Sequence, residues 1–193
     1  MSGFLILTWK KINEVILRLA LNITREGLET DLIVGILRGG YIVARILSDM
    51  LGTDNIGVVE VKFYKGIGER AERPIITQPL TVDVKGKNIL IVDDVVDSGR
   101  TLEIVTEQVR LRGAKSVRTA VLFYKPKSII KPDFYVQEVR EWVVFPWELC
   151  EFIRELKTRE QIKDPELLIT RLRSIGFPEE ERSLQELIIT CRL

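Results

Sequence analysis

Trp9, Ile12, Ile16, Leu19 and Ile23 recur at the spacing of one helical face, with Thr8 placed to cap the first turn and Gly27 to end the last. Leu32 to Leu37 is an unbroken apolar run, too short for a helix and read as a buried strand. Arg38-Gly39-Gly40 breaks it, and Tyr41 to Leu51 returns to helical spacing. Gly57 to Tyr64 is strand-like through Val58, Val59, Val61, Phe63 and Tyr64. Periodicity then fades. Residues 65 to 80 carry Gly66, Gly68, Pro74, Pro79 and several charges, which predicts a loop of about 16 residues, long enough to expect a functional lid.

Ile89 to Val92 is the cleanest buried strand. Thr101 to Leu111 follows as an amphipathic helix closed by Gly113, and Val117 to Tyr124 as another strand. Phe134 to Val136 and Trp142 to Phe145 are short edge strands. From Pro146 the strand signals stop, and Trp147 to Leu156, Pro165 to Ile175 and Leu184 to Leu193 each read as a helix, with Gly176-Phe177-Pro178 between the last two. Alternation of strand and helix up to residue 124 predicts an α/β fold: a central, mainly parallel sheet flanked by helices. The expected division is a core with a small hood over residues 1–146 and a C-terminal helical extension over residues 147–193.

Composition narrows the chemistry. The 193 residues carry 29 lysines and arginines against 28 aspartates and glutamates, a net charge of +1. That balance argues against general binding to nucleic acid or to a membrane surface, so any phosphate chemistry must come from a local site. The absence of histidine excludes histidine-based triads and most zinc and haem sites. Cys150 and Cys191 form no CxxC pair and sit in apolar helical patterns, where buried, inert thiols are expected. No apolar run reaches membrane-spanning length and the amino terminus lacks a signal-peptide pattern, so a soluble, cytoplasmic protein is expected. Abundant charge with few amides is compatible with a thermophilic source.

The informative stretch is Ile89-Leu90-Ile91-Val92-Asp93-Asp94-Val95-Val96-Asp97-Ser98-Gly99-Arg100-Thr101-Leu102. An apolar strand ends in two carboxylates, and in open α/β sheets that end faces the ligand crevice. A short loop with Ser98, Gly99 and Thr101 then opens a helix. Backbone N–H groups at a helix amino terminus, with no side chain at Gly99 to block approach, form an anion site suited to a phosphate monoester. Adjacent carboxylates repel and are expensive to desolvate, which a divalent cation or donating sugar hydroxyls would relieve. Acid beside a phosphate cradle is a sugar-phosphate signature. The competing reading is a solvated acidic turn capping a helix.

Over its full length this string resembles the motif by which type I phosphoribosyltransferases bind 5-phosphoribosyl pyrophosphate (PRPP). The resemblance implies that Asp93 and Asp94 hold the ribose hydroxyls and the region of Mg²⁺, while Asp97, Ser98, Gly99, Arg100 and Thr101 surround the 5-phosphate. In members acting on 6-oxopurines an aspartate at the place of Asp97 faces the purine and exchanges its proton. Typical adenine members carry a small apolar residue there. The Asp97 carboxylate could also simply cap the following helix.

Ile33 to Gly40 resembles the pyrophosphate loop of the same family, which implies that Arg38, Gly39 and Gly40 hold pyrophosphate. Glycines admit the anion to the backbone and Arg38 supplies a charge-assisted hydrogen bond, although a Gly-Gly pair alone is also an ordinary turn. The family's frequent cis peptide is expected at Leu37–Arg38. Lys62-Phe63-Tyr64-Lys65 and the loop after it resemble the flexible loop that closes over PRPP and excludes water. Tyr64 and Arg70 are the expected contacts, against the alternative of a plain hairpin. Phe123-Tyr124-Lys125-Pro126 and Trp142-Val143-Val144-Phe145-Pro146-Trp147-Glu148 resemble the purine pocket and hood. By that resemblance Lys125 meets a 6-oxo group, Trp142 stacks on the ring, and the Val143 backbone reads the base edge. The bland alternative makes Trp142 a core residue and Lys125 a surface charge.

The resemblance covers roughly residues 5 to 150 and lies nearest the archaeal-type purine members. It implies the type I phosphoribosyltransferase fold, transfer of phosphoribosyl from PRPP to a purine with Mg²⁺ as cofactor, and a homodimer. Hypoxanthine, guanine and xanthine are the favoured bases. The helical tail departs from compact members, and some archaeal purine enzymes with helical extensions use adenine, so adenine stands as the alternative on the same scaffold. A non-catalytic PRPP-sensing regulator would usually need a DNA-binding element, and no basic helix-turn-helix segment is evident. Lys125 and the Trp142 segment argue against an orotate or other pyrimidine enzyme.

Overall fold

The computed structural model describes residues 3–64, 73–177 and 181–192. In chain order the elements are β1 (Phe4–Ile6), α1 (Trp9–Arg25), β2 (Leu32–Leu37), α2 (Gly39–Leu51), β3 (Ile56–Tyr64), β4 (Arg73–Gln78), β5 (Asn88–Val96), α3 (Arg100–Leu111), β6 (Ser116–Tyr124), β7 (Phe134–Glu138), β8 (Trp142–Val144), α4 (Leu149–Arg159), α5 (Pro165–Ser174) and α6 (Glu181–Thr190). They fall into two compact units, residues 13–139 and residues 1–12 with 140–193. The expected division at residue 146 differs because β8 pairs in parallel with β1, Phe4 opposite Trp142 and Ile6 opposite Val144, which groups the hood strand and the helical tail with the amino terminus.

Residues 13–139 carry a six-stranded sheet in the order β4-β3-β2-β5-β6-β7. Every neighbouring pair is parallel except β3 with β4. Apolar side chains cover both faces of the central strands, as their unbroken hydrophobic runs demand. Leu32, Val34, Ile36, Ile89, Ile91 and Val121 share one core with Leu102, Val105 and Val109 of α3. The alternate residues, including Ile33, Leu90 and Val92, are equally buried, and α2 lies against β2 and β5. From β2 the chain runs outward to β3 on one side, whereas β5, β6 and β7 build the other. The strand order therefore reverses between β2 and β5, and the carboxyl ends of these two neighbours open onto the place where such sheets bind ligands.

Residues 73–78, expected within a loop, form the edge strand β4, antiparallel to β3 with Tyr64 opposite Arg73. Pro74 hides such a strand from sequence reading, but an edge tolerates proline because one side of it needs no donor. The expected strand at Ile89 to Val92 runs on to Val96, so both acids lie within the end of β5.

The unit of residues 1–12 and 140–193 builds its own core from Val144, Phe152, Ile153, Leu156, Ile162, Leu168, Ile169, Leu172, Phe177, Leu184 and Ile188. Phe145 and Trp147 stack with centroids 4.8 Å apart. Asp164 caps α5 by accepting from the Glu166 N–H, with Pro165 in the first turn. The expectation of inert thiols is corrected: Cys150, in the first turn of α4, and Cys191, just past α6, form a disulfide with Cα atoms 5.2 Å apart. Their separation of 41 residues is closed only by the packing of α4 to α6, which no local pattern reveals. Among the described residues, no helix is long and apolar enough to cross a membrane.

Candidate active site

The end of β5 carries the acidic pair. Asp93 is half-buried, and its Oδ1 accepts from the Asp94 N–H at 3.0 Å. Burial, then repulsion by Asp94, pushes its carboxyl well above the ordinary aspartate range, against the pull of that N–H. Asp94 accepts from the Val95 N–H at 2.7 Å. The start of α2 meets this pair. A Cβ on Gly40 would stand 2.6 Å from the Val92 carbonyl oxygen and 2.8 Å from both Cα and Oδ1 of Asp93, so only glycine lets the helix come down on the acid. Arg38 is the residue before α2, Gly39 begins it, and the Leu37–Arg38 peptide is cis, as expected. The sheet thus brings Gly40, two residues after Arg38 at the end of β2, beside Asp93 from the end of β5.

Five residues past Asp94 the chain turns into α3 through Gly99, whose φ of 83° lies in the left-handed region. A side chain there would also collide with the Ser128 hydroxyl and stand 3.0 Å from the Ile130 nitrogen. The segment after β6 backs the turn directly, the Ile129 N–H donating to the Ser98 carbonyl at 3.0 Å. The Arg100 N–H reaches the Ser98 hydroxyl at 3.4 Å. No acceptor among the described residues takes the N–H of Gly99, Thr101 or Leu102. These are the orphan donors of a helix start, gathered at the left-handed turn that Gly99 makes possible.

Asp97 does not cap α3, whose cap residue Gly99 makes no side-chain hydrogen bond. Its carboxylate instead lies between two ammonium groups, Lys125 Nζ at 3.1 Å and Lys127 Nζ at 2.7 Å. Burial alone would raise the Asp97 carboxyl, but Lys127 and Lys125 outweigh it and hold the group below the ordinary aspartate range. Lys125, at the end of β6, is only 12% exposed and so is no loose surface charge. Lys127 escaped the sequence reading because an exposed lysine in a turn has no pattern to mark it. The repeat Lys125-Pro126-Lys127 at a strand's carboxyl end was the available signal.

Tyr64 stands at the end of β3 and is 53% exposed. Arg70 lies outside the described residues. In the other unit, Trp142 is 43% exposed rather than a core residue, while Val143 beside it is buried. Trp142, Phe4, Phe152, Glu155, Leu156 and Arg159 line a shallow pocket open to solvent.

The geometry has counterparts among known proteins. A family model described as the phosphoribosyl transferase domain matches residues 5–152. The chain belongs to the phosphoribosyltransferase family. A xanthine-guanine phosphoribosyltransferase of Gluconobacter oxydans is 36% identical over 143 residues, 73% of this chain and 82% of the relative. The crystal structure of a purine phosphoribosyltransferase from Pyrococcus horikoshii superposes with a TM-score of 0.68 at 42% identity, over 75% of this chain and 94% of the other. A Neisseria gonorrhoeae protein solved with bound ppGpp gives a TM-score of 0.69 at 30% identity, over 77% and 90%. The central sheet and the helices around it are therefore the type I phosphoribosyltransferase fold, and the chain is a pentosyltransferase of that family.

Proposed function

We propose that this phosphoribosyltransferase carries 5-phosphoribosyl from PRPP to a 6-oxopurine, giving a purine nucleoside 5-monophosphate and pyrophosphate in purine salvage. The names of its relatives, xanthine-guanine and purine phosphoribosyltransferases, support the substrate class. The observation that carries the reading is the Asp97–Lys125 pair at 3.1 Å. An ammonium has three donors and no acceptor, so Lys125 matches a 6-oxo group and not the 6-amino group of adenine, while an ionised Asp97 accepts the proton of a ring N–H.

The remaining roles follow the chain. The N–H groups of Gly99 and Thr101, with Ser98 and Arg100, hold the 5-phosphate at the start of α3. Asp93 and Asp94 take the ribose hydroxyls, whose donors relieve the crowded charge. Arg38, with the backbone of Gly39 and Gly40, holds the departing pyrophosphate. Tyr64, exposed at the end of β3, is the residue there placed to help shield the reacting carbon from water. The family resemblance assigns Trp142 a stacking role and the Val143 backbone a reading role toward the base.

Paired carboxylate oxygens are hard donors whose repulsion a divalent cation would relieve, so Asp93 and Asp94 fit Mg²⁺, directly or through water and ribose hydroxyls. When bound, that ion would neutralise charge building on the leaving pyrophosphate. With reactants so held, catalysis is positioning and charge stabilisation around an oxocarbenium-like carbon. A cytoplasmic homodimer is part of the proposal, on the strength of the family resemblance alone.

The test is a base panel with PRPP and Mg²⁺, read as nucleotide and pyrophosphate formed together. Hypoxanthine, guanine and xanthine should react and adenine should lag by orders of magnitude in kcat/KM, as a site built for one hydrogen-bond pattern rejects its inverse. Preference for adenine would overturn the Lys125 assignment. No product from any base would return the chain to the PRPP-sensing alternative.

A further inference from the structure

The two lysines on Asp97 are not equivalent. Lys125 holds Oδ2 at 3.1 Å with its side chain 12% exposed, whereas Lys127 holds Oδ1 at 2.7 Å with its side chain 68% exposed. Each carboxylate oxygen thus already accepts from one ammonium. A purine ring N–H that comes to Asp97 adds a third donor, and where it takes the place of one already there, the two lysines differ in what leaving costs. The largely enclosed ammonium of Lys125 would leave its carboxylate at a high desolvation cost. The exposed ammonium on its flexible stem returns to bulk water at little cost.

We propose that Lys127 is a releasable counter-ion for Asp97, clamping the carboxylate before the base binds and yielding its place to the purine N–H. Lys127 is therefore a positioning residue, acting through Asp97 rather than on the base, while Lys125 stays in place to meet the 6-oxo group. This inference rests on the reaction proposed above. The charges bearing on Asp97 among the described residues are Lys125 from the end of β6 and Lys127 from the turn after it. Their attraction lowers its affinity for a proton, so losing Lys127 raises that affinity only in states where Lys127 is engaged.

The test is the pH dependence of Lys127→Ala and Lys127→Arg against wild type, with PRPP and Mg²⁺ saturating and hypoxanthine varied. The acid limb of kcat/KM reports the protein before the base binds, and that of kcat the complex with base present. In Lys127→Ala the kcat/KM limb should move to higher pH, with several-fold losses confined to the acid side, while the kcat limb stays in place. Lys127→Arg should retain the wild-type limb. An unmoved kcat/KM limb, or two limbs that move together, would overturn the clamp-and-release assignment. A carbon-NMR titration of the Asp97 carboxyl in ligand-free protein is the second measurement, with a higher midpoint expected in Lys127→Ala. Should wild type form no nucleotide from any purine, the proposed reaction falls by itself. The titration still decides the clamp, which an unshifted midpoint would remove.

Discussion

At the scale of single residues, the site concentrates charge that folding alone would not choose. Asp93 is forced upward by burial and by Asp94, a cost accepted where ligand hydroxyls or a cation are due. Asp93→Asn removes the repulsion and keeps an oxygen for the Asp94 N–H. The unliganded variant should gain on the order of 1 kcal/mol, or roughly 2–4 °C in melting temperature, while losing PRPP affinity. Calorimetry paired with PRPP titration checks both directions, and loss of stability would show that the acid is not under repulsion. Asp97→Asn should lower turnover far more than PRPP affinity. Equal loss in both would contradict a proton-transfer role. The sign at Asp97 is opposite to that at Asp93. Its folded carboxyl lies below the ordinary range, so its lysine bridges stabilise the fold above that range and the contribution fades as pH falls through the depressed value. Gly99→Ala faces a left-handed backbone and the Ser128 hydroxyl together. A loss of about 2 kcal/mol or more is expected from urea unfolding, and phosphate-ester binding should suffer further.

Among elements, legibility followed periodicity. Ile12, Ile16, Leu19 and Ile23 of the α1 stripe and the strand at Leu32–Leu37 are buried where the pattern put them, because their burial is local and regular, whereas Trp9 at the head of the stripe is exposed. β1 spans three residues and β4 is an exposed edge bearing Pro74, so neither generates a pattern strong enough to read. The acid string from Asp93 to Thr101 was legible because strand, turn and helix start are contiguous. Lys127 and Ser128 reach that turn only because β5 and β6 are neighbours, a relation the linear sequence does not display. The disulfide is the most non-local feature of all. Closing a 41-residue loop restricts the unfolded chain by about 4 kcal/mol in the entropic account. Reduction, or Cys191→Ser, should therefore destabilise the helices α4 to α6, read as a lower-melting transition under reducing conditions. An unchanged melting profile would mean the packed core of Phe152, Leu168 and Leu184 suffices without it.

For the whole molecule, the type I sheet reverses its strand order at one place, between β2 and β5, where the acidic pair and the segment proposed to bind phosphate both follow β5. The disulfide bears on the cytoplasmic expectation, since cytosolic disulfides persist mainly in hyperthermophiles, a setting the charge-rich composition also suits. The central claim is that the end of β5 and the start of α3 together hold a ribose 5-phosphate. A crystal structure with a purine nucleoside 5-monophosphate tests it most directly. The phosphate should lie within hydrogen-bond distance of the Gly99 and Thr101 N–H groups, with the ribose hydroxyls against Asp93 and Asp94. A nucleotide seated away from the α3 amino terminus, with both acids untouched, would contradict it.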